Sequence, residues 1–303
     1  MGDLTNTPKH EDLIYDVGMH KGEDTEFYLR KGFRVVAFEA NPDLVCSCRD
    51  RLKDSIDRGQ LTIVEGAILD PGAIGPSKKV QFYMNEDKSV WGTVCEPWAE
   101  RNSKLGSSSS KIEVNAVDFA AVIREHGIPH FIKIDIEGCD MVCIDALKNF
   151  SERPDYVSIE SDKTRFANIK REIDSLAALG YSSFQAIEQS SIPFTQFPPN
   201  PSREGEYVAH KFVNGASGLF GSELGDKWKS RHRILLQYSV IRLMYFLLGD
   251  EGVMKKWKFR GSSKMRSLTR DLLRWLTKEK VPGWYDTHAR HSSTKDRSVT
   301  LSR

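Results

Sequence analysis

Two short stretches carry glycine, carboxylate and histidine residues whose spacing could support chemistry. The first is Asp16-Val17-Gly18-Met19-His20-Lys21-Gly22, with Glu39 lying 21 residues beyond Gly18. Residues without a Cβ let a backbone turn close against a ligand. A dinucleotide loop has a third, middle glycine on which a pyrophosphate rests, whereas Met19 and His20 occupy this loop. A pyrophosphate therefore fits poorly, while a carboxylate at Glu39 suits a pair of ribose hydroxyls. The expected ligand is a nucleoside without a pyrophosphate. The second stretch is Asp135-Ile136-Glu137-Gly138. Two carboxylates two residues apart share a face of an extended chain. They could position or deprotonate a hydroxyl, or hold a divalent cation. In the plainer alternative, Asp135 only fixes its loop by accepting backbone N–H bonds. His20 could approach a ligand from the first loop, or make no more than a local hydrogen bond.

These residues need strand ends to hold them. Leu13 to Val17 is a short apolar run, as in a buried parallel strand. Glu23, Asp24 and Glu26 place acid in a first helical turn, and Gly32 stops that helix. Arg34 to Phe38 is the next strand, closed by Glu39. The unit is βαβ, with a ligand cleft at the carboxyl ends of its strands. Asp43 is expected to cap a helix running to about Arg58, followed by a strand from Leu61 to Val64. Val80 to Met84 and Lys111 to Val117 read as a strand pair around a loop holding Trp91 and Trp98. Those indoles could stack on a flat substrate, or simply cover the sheet edge. Phe131 to Ile136 and Tyr156 to Ile159 are further strands, and Ser161-Asp162 or Thr164 opens the following helix. Tyr181 to Ile187 and Tyr207 to Val213 read as the last two strands. The Pro- and Ser-rich connection from Ser190 to Gly205 is expected to fold over the cleft. His210 falls in the expected last strand, where packing is its ordinary role.

Asp16-Val17-Gly18-Met19-His20-Lys21-Gly22, Phe38-Glu39-Ala40-Asn41-Pro42 and Ile132-Lys133-Ile134-Asp135-Ile136-Glu137-Gly138 together resemble the motifs of FkbM-type methyltransferases. Their order and spacing hold from about Asp12 to Glu160. The third motif is the most specific of the three. Ser217-Gly218-Leu219-Phe220-Gly221 and Gly283-Trp284-Tyr285-Asp286-Thr287-His288-Ala289 are also similar to segments of this family. The resemblance implies a Rossmann-like α/β class I fold: a mainly parallel seven-stranded sheet with a last antiparallel strand, here with a helical C-terminal extension. It implies S-adenosylmethionine as cofactor, bound by Asp16, Gly18, Met19, His20, Gly22, Glu39, Ala40, Asn41, Ala67 and Asp135. Catalysis would rest on Asp135, Glu137 and His20. The implied reaction is O-methylation of a sugar, a glycan or a small metabolite. The alternative is a cofactor-binding scaffold, or a membrane-surface module without catalysis. Methylation of a nucleic-acid base is disfavoured, because no proline follows Asp135 in the manner of the N/D-P-P-aromatic motif.

Composition narrows the classes further. A net charge of +2 over 303 residues gives no global electrostatic case for nucleic acid. The five cysteines form no C-x-x-C and no zinc pattern, so reduced thiols in a cytoplasmic protein are expected. A divalent metal is not indicated. Residues 1–215 are expected to form the cofactor-binding domain, 216–290 a helical extension, and 291–303 a disordered tail. Ile234 to Leu248 is apolar but carries Arg242 and is too short to span a bilayer. It packs on the domain or a second subunit, or else 227–260 lies on a membrane surface.

Overall fold

The computed structural model describes residues 5–85, 92–104, 106–161, 165–248, 253–255, 262–277 and 284–294. Its strands are β1 (Lys9–Val17), β2 (Arg34–Glu39), β3 (Leu61–Glu65), β4 (Ala67–Ile68), β5 (Lys79–Asn85), β6 (Ser109–Val117), β7 (Ile128–Ile134), β8 (Tyr156–Glu160), β9 (Tyr181–Glu188) and β10 (Tyr285–His291). Seven of them form one sheet in the order β3-β2-β1-β7-β8-β10-β9. Only β10 runs antiparallel to its neighbours. This is the expected mainly parallel, Rossmann-like arrangement. The three remaining strands form a small sheet, β4-β6-β5, in which β5 and β6 are the expected antiparallel pair.

The central strands are those most deeply buried. Every residue of β7 is buried, and so are the last five of β1. Alternation sends Leu13, Tyr15 and Val17 into one core layer and Ile14 into the other. Helix α1 (Glu23–Arg30), with Phe27, Tyr28 and Leu29, packs on the second layer beside Phe212 and Phe220. Helix α2 (Pro42–Arg51) starts from Asn41, whose side chain accepts the Asp43 amide. The cap is thus Asn41 rather than Asp43, with Pro42 in the first turn, where its missing N–H costs nothing. Leu52 separates α2 from α3 (Lys53–Asp57), so the expected single helix to Arg58 is two. Helices α4 (Glu96–Lys104), α5 (Phe119–His126), α6 (Asp140–Ala146) and α7 (Phe166–Ala178) come next, with α5 capped by Asp118. The expected opening of α7 at Asp162 or Thr164 lies outside the described residues. The turn α8 (Ile192–Thr195) and helices α9 (Arg231–Leu248) and α10 (Ser262–Thr277) complete the chain.

The last strand is not where the sequence pattern put it. Tyr207 to Val213 forms no strand. His210 and Phe212 instead pack on the Phe27 ring at 4.9 and 5.0 Å. Alternation shows that a segment can bury one face, not where its backbone hydrogen bonds go. The strand comes instead from Tyr-Asp-Thr-His-Ala-Arg-His at 285–291, a polar run that hides its strand character. Two of its buried polar side chains find partners. The Thr287 hydroxyl bonds Tyr238 Oη at 2.6 Å, and His288 Nε2 meets Ser158 Oγ at 3.3 Å. Because β10 lies between β8 and β9, the expected boundary at residue 215 does not divide the sheet from the C-terminal part of the chain. His291 belongs to β10, and residues 295–303 of the expected tail lie outside the described residues.

The connection from 190 to 205 also departs from expectation. None of its residues lines the cleft, and its last part, Ser202 to Glu204, reaches toward the amino end of β7. Glu204 accepts from His130 Nε2 at 3.0 Å, and Lys31 Nζ reaches Ser202 Oγ at 2.9 Å.

Candidate active site

At the carboxyl ends of β1, β2 and β7 lies a concave cleft lined by both polar and apolar side chains, as small-ligand sites are. Eight residues singled out in the sequence line it: Gly18, Met19, His20, Glu39, Ala40, Ala67, Asp135 and Glu137. Asp16, Gly22 and Asn41 do not. Asp16 is buried below the loop, bonded to Thr25 Oγ1 at 2.6 Å and Lys133 Nζ at 3.1 Å. A Cβ on Gly22 would meet Arg51 of α2, and Asn41 is occupied as the α2 cap.

The first loop uses its own amides. Gly18 and Met19 both donate to Phe38 O, Gly22 donates to Met19 O, and His20 donates to Glu39 Oε2 at 2.8 Å. These amides leave no cradle for a pyrophosphate. The other Glu39 oxygen accepts from Asn41 N at 2.9 Å. The carboxylate is thereby fixed at the end of β2, with lone pairs still facing the cleft. Burial raises its pKa. His20, at φ 52°, approaches Glu23 with Nδ1 at 3.3 Å.

The second stretch is not extended. Glu137 takes φ 47° and Gly138 φ 100°, so Asp135 and Glu137 do not share the face of a strand. The loop-fixing role considered for Asp135 belongs to Asp140. Its carboxylate accepts from Ile136 N and Gly138 N, each at 3.1 Å. Thr93 Oγ1 adds a bond to Glu137 O at 2.8 Å, bringing the β5–α4 connection over the cleft. Trp98 packs on Gly138, where a Cβ would stand 2.4 Å from the indole nitrogen. Trp91 lies outside the described residues.

Lys133 is the main residue the sequence reading passed over. Its ammonium is buried, 2.8 Å from Gly18 O, 3.1 Å from Asp16 and 3.8 Å from Asp24. Burial alone would lower its pKa, but Asp16, Asp24 and Asp135 raise it well above the ordinary value. Asp24 accepts the Ser217 amide with both oxygens at 3.0 Å. Burial, with Asp16 nearby, pushes it up to about 7 against the pull of Lys133. The signal in the sequence was present: a lysine amid a buried strand requires a carboxylate partner.

Asp286 was also missed. In the sheet register Ile134 pairs with Ile159, so Asp135 and Glu160 are the next residues on adjacent strands, and Glu160 pairs with Asp286. Three carboxylates thus stand in a row across β7, β8 and β10. Burial raises the Asp286 pKa well above the ordinary carboxyl range, reinforced by Asp135 and Glu160.

The cleft lining carries five carboxyl groups (Glu23, Asp24, Glu39, Asp135 and Glu137) against one lysine, Lys133. Such a lining favours a cation and disfavours a phosphate ester. Its far end is apolar, from Ala67, Ile68, Phe38 and Phe82. Among the described residues no group of three or more His, Cys, Asp or Glu could hold a metal ion. The five cysteines are free thiols, and Cys139 borders the cleft.

Residues 16–187, more than half of the chain, match the model of the methyltransferase FkbM domain. No match is found among curated protein sequences. Solved structures with partial likeness include a precorrin-6y C5,15-methyltransferase from Geobacter metallireducens. It is 14% identical, with 60% of this chain and 71% of that one covered and a TM-score of 0.32. A putative sarcosine dimethylglycine methyltransferase from Galdieria sulphuraria is 9% identical, with 95% and 80% covered and a TM-score of 0.38. The O-methyltransferase TomG from Streptomyces achromogenes, solved in complex with SAM, is 13% identical, with 58% and 66% covered and a TM-score of 0.35. The fold assignment rests on the strand order, not on these likenesses.

Proposed function

We infer, from the premise that this chain belongs to the FkbM methyltransferase family, that its cleft takes S-adenosylmethionine and serves methyl transfer to a hydroxyl of a sugar, glycan or small metabolite. The observation that carries this reading is Glu39. Its half-buried carboxylate is fixed by two amides at the end of β2 and faces an acidic cleft. The donor set fits the cofactor. Glu39 would hold the ribose hydroxyls, and Ala67, Ile68 and Phe82 would face the adenine. Gly18 and Met19 would border the methionine part. When bound, the cofactor supplies an electrophilic methyl on a sulfonium, whose positive charge suits this lining.

The protein must then align the acceptor and take its proton. A hydroxyl oxygen forms the new bond to the methyl carbon as the carbon–sulfur bond breaks, and its proton passes to a nearby carboxylate. Asp135 lines the cleft where such a hydroxyl would stand. Support for a hydroxyl-rich acceptor comes from the neighbouring Glu160 and Asp286, since carboxylates accept hydroxyl hydrogen bonds. A nicotinamide dinucleotide is disfavoured, because the loop amides it would need are already bonded.

Calorimetric titration with S-adenosylhomocysteine, with NAD alongside, tests the reading. Micromolar binding of the thioether, absent for NAD and lost in Glu39→Ala, is expected. No binding to the folded protein would overturn it.

A further inference from the structure

The segment from Lys227 to Thr277 holds thirteen lysines and arginines and three acids, a net of +10. The whole chain carries only +2, so the remainder is net −8. Ten of these cations but only one of the acids, Asp271, fall on described residues in and beside α9 and α10, so this part of the molecule is basic.

Helix α9 is apolar on two sides. Ile234, Tyr238, Ile241, Met244 and Leu248 form its buried side. Leu236, Leu243 and Phe246, spaced seven and three residues apart, fall on the opposite side and are 67%, 57% and 63% exposed. Arg233 and Arg242 are exposed beside them. On α10, Leu268 and Leu272 lie one turn apart, 62% and 56% exposed, with Lys264 exposed one turn before them. Large apolar side chains in contiguous exposed stripes mark a contact surface.

We propose that α9 and α10 dock this protein onto an anionic lipid surface. Three features select that occupant. Apolar stripes flanked by arginine and lysine match the headgroup boundary, where apolar chains enter the lipid and cations meet the anionic headgroups. A second copy would set one basic face against another, since a self-complementary contact places like charges face to face. A polyanion without an apolar layer, such as nucleic acid, would leave Leu236, Leu243 and Phe246 unanswered. The helices lie on the surface rather than cross it, since no helix among the described residues is long and apolar enough to span a bilayer.

The geometry joins this surface to the cleft. Lys229, just before α9, bridges to Phe184 in the middle of β9. Nine residues later Tyr238 Oη meets Ser161, the residue after β8, at 3.2 Å. The helix therefore advances toward the carboxyl end of the sheet, and its remaining turns carry Leu243 and Phe246 past that end. The cleft opens at the same end. A docked protein would hold its site next to the lipid headgroups.

Sedimentation of the full chain with vesicles tests this. Vesicles of phosphatidylcholine alone are compared with vesicles that also contain phosphatidylserine. Binding is expected only with phosphatidylserine. It should fall at least about tenfold in Leu243→Asp/Phe246→Asp, and similarly in Arg233→Glu/Arg242→Glu. All four positions are exposed, so an unchanged thermal midpoint certifies each variant as folded. Failure to bind phosphatidylserine vesicles, or equal binding by wild type and both variants, would overturn the proposal. So would a dimer in light scattering that Leu243→Asp/Phe246→Asp dissociates, which would assign the face to a second copy.

Discussion

The carbonyl oxygen of Asp135 stands 1.9 Å from where a Cβ on Gly18 would be, so the two motifs touch through the missing side chain. Gly18 lies at the end of β1 and Asp135 at the end of β7, and the Asp135 amide donates to Val17 O at 2.9 Å. The glycine is needed for chain against chain before it is needed for any ligand. Its φ of 87° adds a second demand for glycine. Gly18→Ala is expected to destabilise the fold by roughly 2 kcal/mol or more and to weaken S-adenosylhomocysteine binding. Urea denaturation and calorimetric titration together check both effects. Unchanged stability would mean that the Asp135 loop yields freely.

Lys133 neutralises the floor of the cleft. Lys133→Met removes the cation held between Asp16 and Asp24, both buried. Breaking a buried pair from one side costs about 3–5 kcal/mol. The orphaned carboxyls would rise in pKa, so the variant should gain stability from protonation at low pH and lose it as pH rises. Thermal midpoints from pH 5 to pH 8 should therefore fall in Lys133→Met relative to wild type. Parallel profiles would show that Lys133 does not compensate these acids.

Asp286 is expected to act on the acceptor side, next to Glu160 and Asp135. Asp286→Asn keeps the shape and removes a carboxylate beside Glu160 and Asp135. Methyl transfer, once an acceptor is in hand, should drop about 10²-fold or more, while S-adenosylhomocysteine affinity stays within about twofold of wild type, a small part of the 1.4 kcal/mol that marks a tenfold change. A raised carboxyl pKa means that the wild-type rate should climb with pH as this group ionises, and that the variant should lose that limb. A variant with full activity would assign the proton to Asp135 or Glu137.

His288 sets an acid limit on stability. Burial lowers its pKa from 6.5 to about 3. The folded protein keeps the ring neutral, while the unfolded chain takes up a proton below about pH 6.5. Stability is therefore lost as pH falls from about 6.5 toward 3, by up to about 1.4 kcal/mol per pH unit where the two states differ by a full proton. His288→Gln should flatten that part of the curve. Denaturation midpoints of the two proteins between pH 4 and pH 7 decide it.

The sequence by itself determined the βαβ unit, the glycine turn and Glu39 at the end of β2. These arise from short-range rules: apolar runs, helix stops and fixed motif spacing. Such rules also place most of the cleft residues, because Gly18 to His20, Glu39-Ala40 and Asp135 to Glu137 stand at or just past strand ends. What only the tertiary structure decided involves residues distant in sequence. Lys133 acquires a role because Asp16 and Asp24 arrive from other elements. Asp286 joins Asp135 and Glu160 only because a polar C-terminal segment inserts between β8 and β9. Tyr207 to Val213 had the better strand pattern, yet its rings found Phe27. Local periodicity reports which face can be buried, whereas hydrogen-bond satisfaction across the sheet selects which segment occupies the last position.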